Sequence, residues 1–259
     1  MKKVLPGALL VVLSLLVIAG CKKTSPYPAV PLTDYYSPLK AGKYITYRLD
    51  SLNFYYYGQL DTTTSYLAKD SVEAAIADNL GRPAWRVVRY LNDVNGSGTW
   101  TPSETYVVVA TSQAVEVVET NLRTIKLTFP VADGRDWSGN SYLPYDPYQD
   151  LFDFSDDSHL NLKAWDYTYQ QVGKSLTLGN KVYDSTATIV QVNDSINAPV
   201  IIDPHSFASR TYWTETYAKN IGLVYRHAAL WEYQPPTPNG NPNGYKIGFE
   251  VTLTILDHN

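Results

Sequence analysis

The sequence predicts an all-β protein, with about a dozen antiparallel strands in a meander that forms a barrel or a strongly curved sheet with little helix. The composition supports this fold class, because 22 Tyr and 6 Trp stand against 6 Phe and 1 Met. Tyrosine suits strands in which one end of the ring is buried and the other is wet. The 16 Pro and 15 Gly punctuate short segments of alternating polar and apolar residues. Closing such a sheet would remove its exposed edges.

The first strands follow from this two-residue alternation. Lys43–Leu49 alternates, and Asn53–Tyr57 continues the pattern. Ser65–Gly81 is ambiguous, because part of it has helical propensity but its apolar residues make a poor helical stripe. We favour a strand here that turns at Asp78–Gly81 into a further strand, Ala84–Leu91.

The remaining strands are separated by clear turn signals. Asn95-Gly96 marks a loop, and Asn121 is well placed for a tight reversal. Pro235–Gly244 predicts a flexible hairpin tip. The strands between these signals are Glu104–Ala110, Ala114–Thr120, Leu122–Phe129, Ala164–Val172, Lys181–Val192, Arg210–Tyr217, Leu223–Tyr233 and Tyr245–Leu256.

Residues 130–159 form the longest irregular stretch. Loops of this length are uncommon in compact domains and are usually functional or disordered, and the aromatic content argues against disorder. The candidate ligand-binding residues lie here, where they could stack on a sugar or cover an apolar cavity. The alternative is that they pack onto the sheet and pin the loop. They are Trp137, Tyr142, Tyr145 and Tyr148.

The amino-terminal segment predicts secretion. Lys2 and Lys3 precede an apolar run, Val4–Ile18, and small residues follow, which is the pattern of a signal peptide. The ending Ile18–Cys21 resembles the lipobox of bacterial lipoproteins, in which the cysteine is diacylated and the peptide is cut before it. An ordinary signal or a membrane anchor is the alternative, but the run is shorter than the roughly 20 residues of a spanning helix.

Three segments follow from this interpretation. Residues 1–20 are the lipoprotein signal peptide, and residues 21–40 are a Pro-rich tether held extended from the membrane. Residues 41–259 are the antiparallel β domain, as one unit or as two halves divided by the loop at 130–159. Cys21 is the only cysteine, so the domain folds without an internal disulfide.

The charge argues against a nucleic-acid partner. The net charge is −4, and without the two signal lysines 19 basic residues stand against 25 acidic ones. Nucleic acid requires clustered Lys and Arg. The predicted membrane partner is reached instead through diacylglyceryl and acyl groups, such as palmitate, on Cys21. Lys22 and Lys23 replace the aspartate and the acidic run of other lipoprotein sorting signals, so the resemblance implies an outer-membrane lipoprotein that faces the periplasm.

No motif for catalysis, a metal or a cofactor stands out, and we predict a non-enzymatic protein with no catalytic residues, no metal and no cofactor. The four histidines lack metal-ligand spacing. Ser37–Lys40 and Ser138–Asn140 match two elements of penicillin-recognising serine enzymes, but Pro38 opposes a buried helix and the third element is missing. The acidic residues between Asp146 and Asp157 could bind calcium or serve a hydrolase, although a solvated loop suits their order better.

Two sequence blocks carry a family resemblance. Leu127–Pro130 followed by Gly134–Asn140 resembles the "lFPv..G..W.gN" segment of uncharacterised bacterial envelope lipoproteins. Tyr217–Arg226 resembles the "Y.K.iGlVyre" hairpin of the same proteins, and the closing strand Gly244–Asn259 fits their pattern. The resemblance to this family implies no particular reaction. More remotely, the predicted architecture is similar to lipoprotein-carrier and lipocalin-like β proteins.

The sequence therefore predicts a lipid-anchored envelope protein whose curved sheet binds an apolar or amphipathic ligand or a protein partner. The alternative is a glycan-binding module that uses the loop tyrosines and Trp137. Lipid, glycan and protein all remain open as ligands.

Overall fold

The computed structural model describes residues 36–238 and 240–259, which form one curved, nearly closed barrel-shaped sheet of twelve antiparallel strands. The predicted fold class is confirmed. The predicted signal peptide, Cys21 and most of the tether lie outside the described residues. The strands are β1 Tyr44–Tyr55, β2 Leu60–Ala77, β3 Pro83–Asp93, β4 Thr101–Ala110, β5 Ala114–Glu119, β6 Leu122–Thr128, β7 Asp136–Trp137, β8 Tyr167–Leu178, β9 Lys181–Ile196, β10 Ala208–Ala218, β11 Gly222–Gln234 and β12 Tyr245–His258.

The sheet consists of two meanders joined through the first and last strands. The order is β6-β5-β4-β3-β2-β1-β12-β11-β10-β9-β8-β7, so β1 and β12 are neighbours in its middle and β6 and β7 are its ends. Helix α1, Asp157–Leu160, and a 3-10 turn, Leu162–Ala164, lie in the long connection between β7 and β8. Both parts of the predicted domain thus belong to one sheet.

The ambiguous segment at residues 65–81 is a strand, as favoured from the sequence. It belongs to β2, which pairs with β1 on one side and β3 on the other. Ala68, Asp70 and Val72 are buried at every second position, which is the period of a strand and not of a helix. Asp78 then accepts hydrogen bonds from the amides of Leu80 and Arg82 and fixes the predicted turn.

The predicted reversal at Asn121 is also confirmed. Thr120 and Asn121 both have positive φ, 49° and 63°, which is the backbone of a two-residue hairpin turn that matches strand twist. Several strand boundaries differ from expectation; β8 begins at Tyr167 and not at Ala164, and β9 ends at Ile196 and not at Val192. β1 runs unbroken through residues 50–52, which pair on both sides, and β8 continues to Leu178. Irregular pairing between Gln170 and Leu176 hides the alternation there.

The barrel has two ends that differ in what covers them. At the proximal end, Tyr36 is buried, and the backbone of Tyr36 and the ring of Pro38 lie next to Gly222 in the β10–β11 hairpin. The last residues of the predicted tether therefore pack against the barrel. At the distal end, marked by the β5–β6 turn, residues of the long β7–β8 connection pack inward, as the ring of Tyr148 does on Phe249 at 5.5 Å.

The interior is filled mainly by aromatic and aliphatic side chains. The largest buried cluster draws on both meanders and on the long connection, which supplies Leu143, Phe154 and Leu162. The other fully enclosed members include Val87, Val108, Leu127, Tyr167, Tyr169, Ile189, Tyr217 and Leu230.

Candidate functional site

A pocket at the distal end combines aromatic walls with ionisable groups. It has a volume of about 190 Å³ and lies between β4–β6, β9–β10 and the long connection. We call it the distal pocket. The lining residues on which its chemistry depends are Glu104, Glu119, Lys126, Tyr148, Gln191 and Trp213.

The distal pocket has a mouth and a floor. Thr120, in the exposed β5–β6 turn, is among its lining residues, and the side chains of Glu104 and Glu119 are 23% and 30% exposed. Gln191 and Lys126 line the same pocket but are buried. Exposure therefore falls from the two carboxyl groups inward, so a ligand would meet the carboxyl groups first and the amide and ammonium groups last.

The two carboxyl groups at the mouth interact with each other. Burial, the charge of Glu119 and a hydrogen bond to Glu119 raise the pKa of Glu104 to about 7. Arg89 lies beside both, with Nη1 3.4 Å from Glu119 Oε1 and 3.6 Å from Glu104 Oε2. The pair therefore holds a shared proton up to about neutral pH.

Arg89 is itself fixed by a buried carboxylate. Its Nε and Nη2 donate to the two oxygens of Asp70 at 2.7 and 2.8 Å, and the Tyr106 hydroxyl donates to Asp70 Oδ2 at 3.0 Å. A bidentate pair of this kind holds the guanidinium in one orientation. Arg89 thus presents its third nitrogen to the Glu104–Glu119 pair.

A second ionic cluster lies deeper, around Glu215. This carboxylate is fully buried and accepts hydrogen bonds from Lys126 Nζ and Arg226 Nε, each at 2.9 Å, and from the Tyr217 hydroxyl at 2.8 Å. Burial alone would raise the pKa of Glu215, but the charges of Lys126 and Arg226 outweigh it and lower the pKa to about 2. The cluster joins β6 to β10 and β11 across the interior.

Together the two clusters contain three cations and four carboxyl groups. The cations are Arg89, Lys126 and Arg226, and the carboxyl groups are Asp70, Glu104, Glu119 and Glu215. One shared proton on the Glu104–Glu119 pair makes the set neutral. Because isolated buried charges are costly, the raised pKa of Glu104 is consistent with the charge balance of these two clusters.

Gln191 supplies an unused donor at the floor of the pocket. It is 2% exposed, and within the described residues its Nε2 has no hydrogen-bond partner. A buried amide group without a partner costs about 1–3 kcal/mol, so such groups are rare and need an explanation. A ligand with an acceptor oxygen would remove this cost.

A smaller cavity, of about 110 Å³, lies toward the proximal end. Pro38 and Leu39 line it together with Ile45 and Leu223, so the end of the predicted tether forms part of its wall. Typical small-molecule sites have volumes of roughly 300–1,000 Å³. Neither of these two cavities reaches that range.

The structure separates the four loop aromatics that the sequence singled out. Trp137 packs on Tyr169 with ring centroids 4.6 Å apart, and its Nε1 donates to the carbonyl of Ile125. Tyr148 lines the distal pocket. Tyr142 and Tyr145 are each 59% exposed, and the hydroxyl of Tyr145 donates to Asp157. Two of the four therefore face inward and two face solvent.

The other motifs considered from sequence show structural roles. Asp156 caps helix α1 by accepting from the amide of Ser158, and His159 is buried against Phe154. His227 bonds Glu250 at 2.7 Å. Across residues 36–238 and 240–259, no three His, Cys, Asp or Glu side chains come together as a metal site. Within the same ranges, no helix has the length and hydropathy to cross a membrane.

Sequence reasoning missed the ionisable residues of the interior. Glu104 shares a strand face with Tyr106 and Val108, and Glu215 shares one with Trp213 and Tyr217. A charged residue in register with inward aromatic or aliphatic residues is the signal that identifies them. Gln191 follows the same rule, two positions after the buried Ile189.

No protein-family model and no curated protein matches the sequence. Two solved structures resemble the fold. One is a Bacteroides fragilis protein inferred to be exported, with a YmcC-like fold, at 13% identity and a TM-score of 0.32, covering 86% of this chain and 99% of that one. The other is a Parabacteroides distasonis protein inferred to be a lipoprotein, at 10% identity and a TM-score of 0.39, covering 85% and 96%. Neither likeness assigns an activity or a ligand to this chain.

Proposed function

We propose that this chain is a lipid-anchored envelope protein that binds a small amphipathic ligand in its distal pocket and performs no covalent chemistry. The observation that carries the proposal is the pocket itself, because aromatic walls, two carboxyl groups and an unpartnered buried amide converge there. Ligand sites commonly combine apolar walls with a few placed polar groups.

The arrangement of the carboxyl groups favours binding over hydrolysis. Glycosidases place their two carboxyl groups about 5–5.5 Å or 6.5–9.5 Å apart, which leaves room for attack on the sugar or for a water. Glu104 and Glu119 instead hydrogen-bond to each other and share Arg89. Because the two carboxyl groups are in direct contact, no sugar atom or water fits between them, which is the reason for proposing a non-enzymatic protein.

The size of the interior favours a small ligand over a carried lipid. The two interior cavities measure about 190 and 110 Å³, and Glu119 lines both of them. The amphipathic ligand of the proposal is therefore a ring-sized molecule with an apolar face. A fatty acid that binds with its whole chain inside the barrel would contradict this version.

The anchor is proposed at Cys21, on the sequence pattern alone. Acylation there would tie the protein to the outer membrane, facing the periplasm. Radiolabelled palmitate should enter the full-length protein, and Cys21→Ser should abolish the label and release the protein from the membrane fraction. Removal of the domain by protease from intact cells would overturn the periplasm-facing orientation.

Ligand binding is tested with the full-length protein in detergent. Native mass spectrometry and thermal shifts would be recorded with three probe classes: methyl glycosides, palmitate and cyclohexylammonium. Saturable binding of a ring-sized probe that competes at the distal pocket supports the proposal. Binding of palmitate alone contradicts the proposal. So does the absence of binding by every probe at concentrations up to about 10 mM, since a Kd of that size corresponds to a binding free energy of only ~3 kcal/mol.

A second candidate function uses the outer surface of the loop. Tyr142 and Tyr145 lie three positions apart and are exposed, and a sugar chain could stack on aromatic rings of this kind. A glycan-binding module of this type would lose polysaccharide binding in Tyr142→Ala and Tyr145→Ala. Binding that survives both substitutions would exclude it.

A further inference from the structure

We infer that the distal pocket recognises one neutral sugar ring, which accepts a hydrogen bond from Gln191 at the floor and donates hydroxyl hydrogens to Glu104 and Glu119 at the mouth. The inference rests on the proposed function, since it names the ligand class of the same pocket.

The volume fits a single six-membered ring. An engineered protein cavity of about 150 Å³ holds one benzene molecule. The distal pocket, at about 190 Å³, exceeds this by roughly the space of one or two small substituents and opens at the β5–β6 turn. A pyranose ring has the same six-atom frame, and its hydroxyl groups or a glycosidic link would extend toward the mouth.

The polar groups of the pocket suit a ligand with hydroxyl groups better than a ligand that can only donate or only accept hydrogen bonds. Gln191 Nε2 can only donate, whereas the carboxyl oxygens of Glu104 and Glu119 can accept. These groups lie on different strands, β9 against β4 and β5. A ligand in contact with both must therefore accept at its buried end and donate at its outer end, and every sugar hydroxyl can do either.

The charge balance favours a neutral ligand. With one proton on the Glu104–Glu119 pair, the three cations and four carboxyl groups of these two clusters sum to zero. An anion would face the two carboxyl groups at the mouth, and a cation would approach Lys126 at the floor. A neutral ring disturbs neither cluster.

The walls supply apolar surface for the ring faces. The ring centroids of Trp165 and Trp213 lie 6.1 Å apart, and Tyr148 and Tyr167 are further aromatic residues of the lining. Tyr148 and Tyr167 belong to the long connection and to the start of β8, so the pocket exists only because that connection folds into the barrel. Aromatic walls of this kind cover the CH groups of a sugar while its hydroxyls reach the polar groups.

The test measures binding of methyl glycosides to the full-length protein in detergent, by saturation-transfer NMR and calorimetry. The probes are the methyl glycosides of glucose, galactose, mannose and N-acetylglucosamine, with cyclohexylammonium and benzoate as charged rings of similar size. At least one glycoside should bind. Gln191→Leu should weaken it at least tenfold, which corresponds to about 1.4 kcal/mol. Gln170→Leu, at an exposed position of β8, should leave it unchanged.

A second variant keeps the test valid if the buried substitution harms folding. Glu104→Gln retains the shape of the side chain at the mouth and should also weaken glycoside binding. Preference for cyclohexylammonium or benzoate over every glycoside would overturn the sugar assignment but leave the proposed small-ligand function standing. Glycoside binding that neither variant weakens would show that the sugar binds outside the distal pocket and would overturn the inference. The absence of binding by every probe would contradict both this inference and the proposed function.

Discussion

The two meanders of the barrel meet at two seams that are built in different ways. At the first seam, β1 and β12 form a backbone ladder of eight residue pairs, from Ile45–His258 to Leu52–Glu250. At the second seam, the outer edge of β6 meets the β7–β8 region without a ladder. There Ile125 N donates to the carbonyl of Gly139 at 2.8 Å, and Trp137 Nε1 donates to the carbonyl of Ile125 at 2.9 Å.

One tyrosine completes the second seam. The hydroxyl of Tyr169 donates to the carbonyl of Thr128 at 2.9 Å and accepts from its amide at 3.0 Å, as a neighbouring strand would. The contrast shows where the barrel depends on side-chain identity. A ladder is made by backbone groups that nearly every residue carries, whereas the second seam needs an indole and a phenol in fixed positions.

The largest expected effect concerns the ionic link behind the second seam. Lys126 on β6 reaches across to Glu215 on β10, so Glu215→Leu would leave Lys126 and Arg226 buried without their partner. We expect a loss of about 3–5 kcal/mol in the free energy of unfolding, measured by urea denaturation. Asp61→Leu, which breaks the more exposed pair with Lys246, should cost under ~1 kcal/mol. Equal losses would contradict a structural role for the Glu215 cluster.

The next effect tests the indole of the second seam. Trp137→Ala removes a hydrogen bond to β6 and the packing on Tyr167 and Tyr169, and should cost about 2–4 kcal/mol. Hydrogen exchange should accelerate at the amide of Ile125 and remain unchanged along β1. Faster exchange along β1 as well would show that the two seams open together.

Tyr169→Phe tests the hydroxyl that imitates a strand. The backbone groups of Thr128 would lose their partner, at an expected cost of about 1–2 kcal/mol in thermal or urea unfolding. Tyr183→Phe is the matched control, because Tyr183 is also a buried residue but its hydroxyl makes no hydrogen bond among the described residues. The control should change stability by less than about 0.5 kcal/mol. A similar loss of stability in both variants would contradict the role of the Tyr169 hydroxyl at the second seam.

The smallest expected effect is a pH dependence near the distal pocket. The pKa of Glu104 rises from 4.5 in the unfolded chain to about 7 in the fold, so the folded state holds a proton that the unfolded state loses. This contribution to stability is fully present below pH 4.5 and is lost as the pH rises to about 7. Its size, discounted for partial exposure, is about 1–2 kcal/mol.

Glu104→Gln isolates this contribution. The stability difference between the variant and the wild type, followed by thermal unfolding from pH 4 to 8, should change over that window and be constant above it. A difference that is flat across the window would show that the Glu104–Glu119 pair does not share a proton. The first seam contains no such pair among its described contacts, so Asp257→Asn on β12 serves as the control.

Much of the fold follows from the local pattern. The alternation in the final strand predicted β12, and Asn121 predicted the β5–β6 turn, because both signals depend only on neighbouring residues. β8 was predicted too short, since its irregular pairing breaks the two-residue period. The candidate site was placed on the loop aromatics, of which only Tyr148 lines the distal pocket.

By itself, the sequence predicted an antiparallel meander of about a dozen strands and a lipid anchor at Cys21. Strand period and turn chemistry are local properties, so they can be read without knowing what faces each strand. Only the tertiary structure decided which polar residues meet. Glu104 and Glu119 come from adjacent strands, while Gln191 and Glu215 come from the other meander, and their pairing depends on closure of the barrel. Closure in turn depends on Trp137 and Tyr169. The sequence predicted a loop at Trp137 and a strand at Tyr169, but a local pattern cannot assign either residue to a seam.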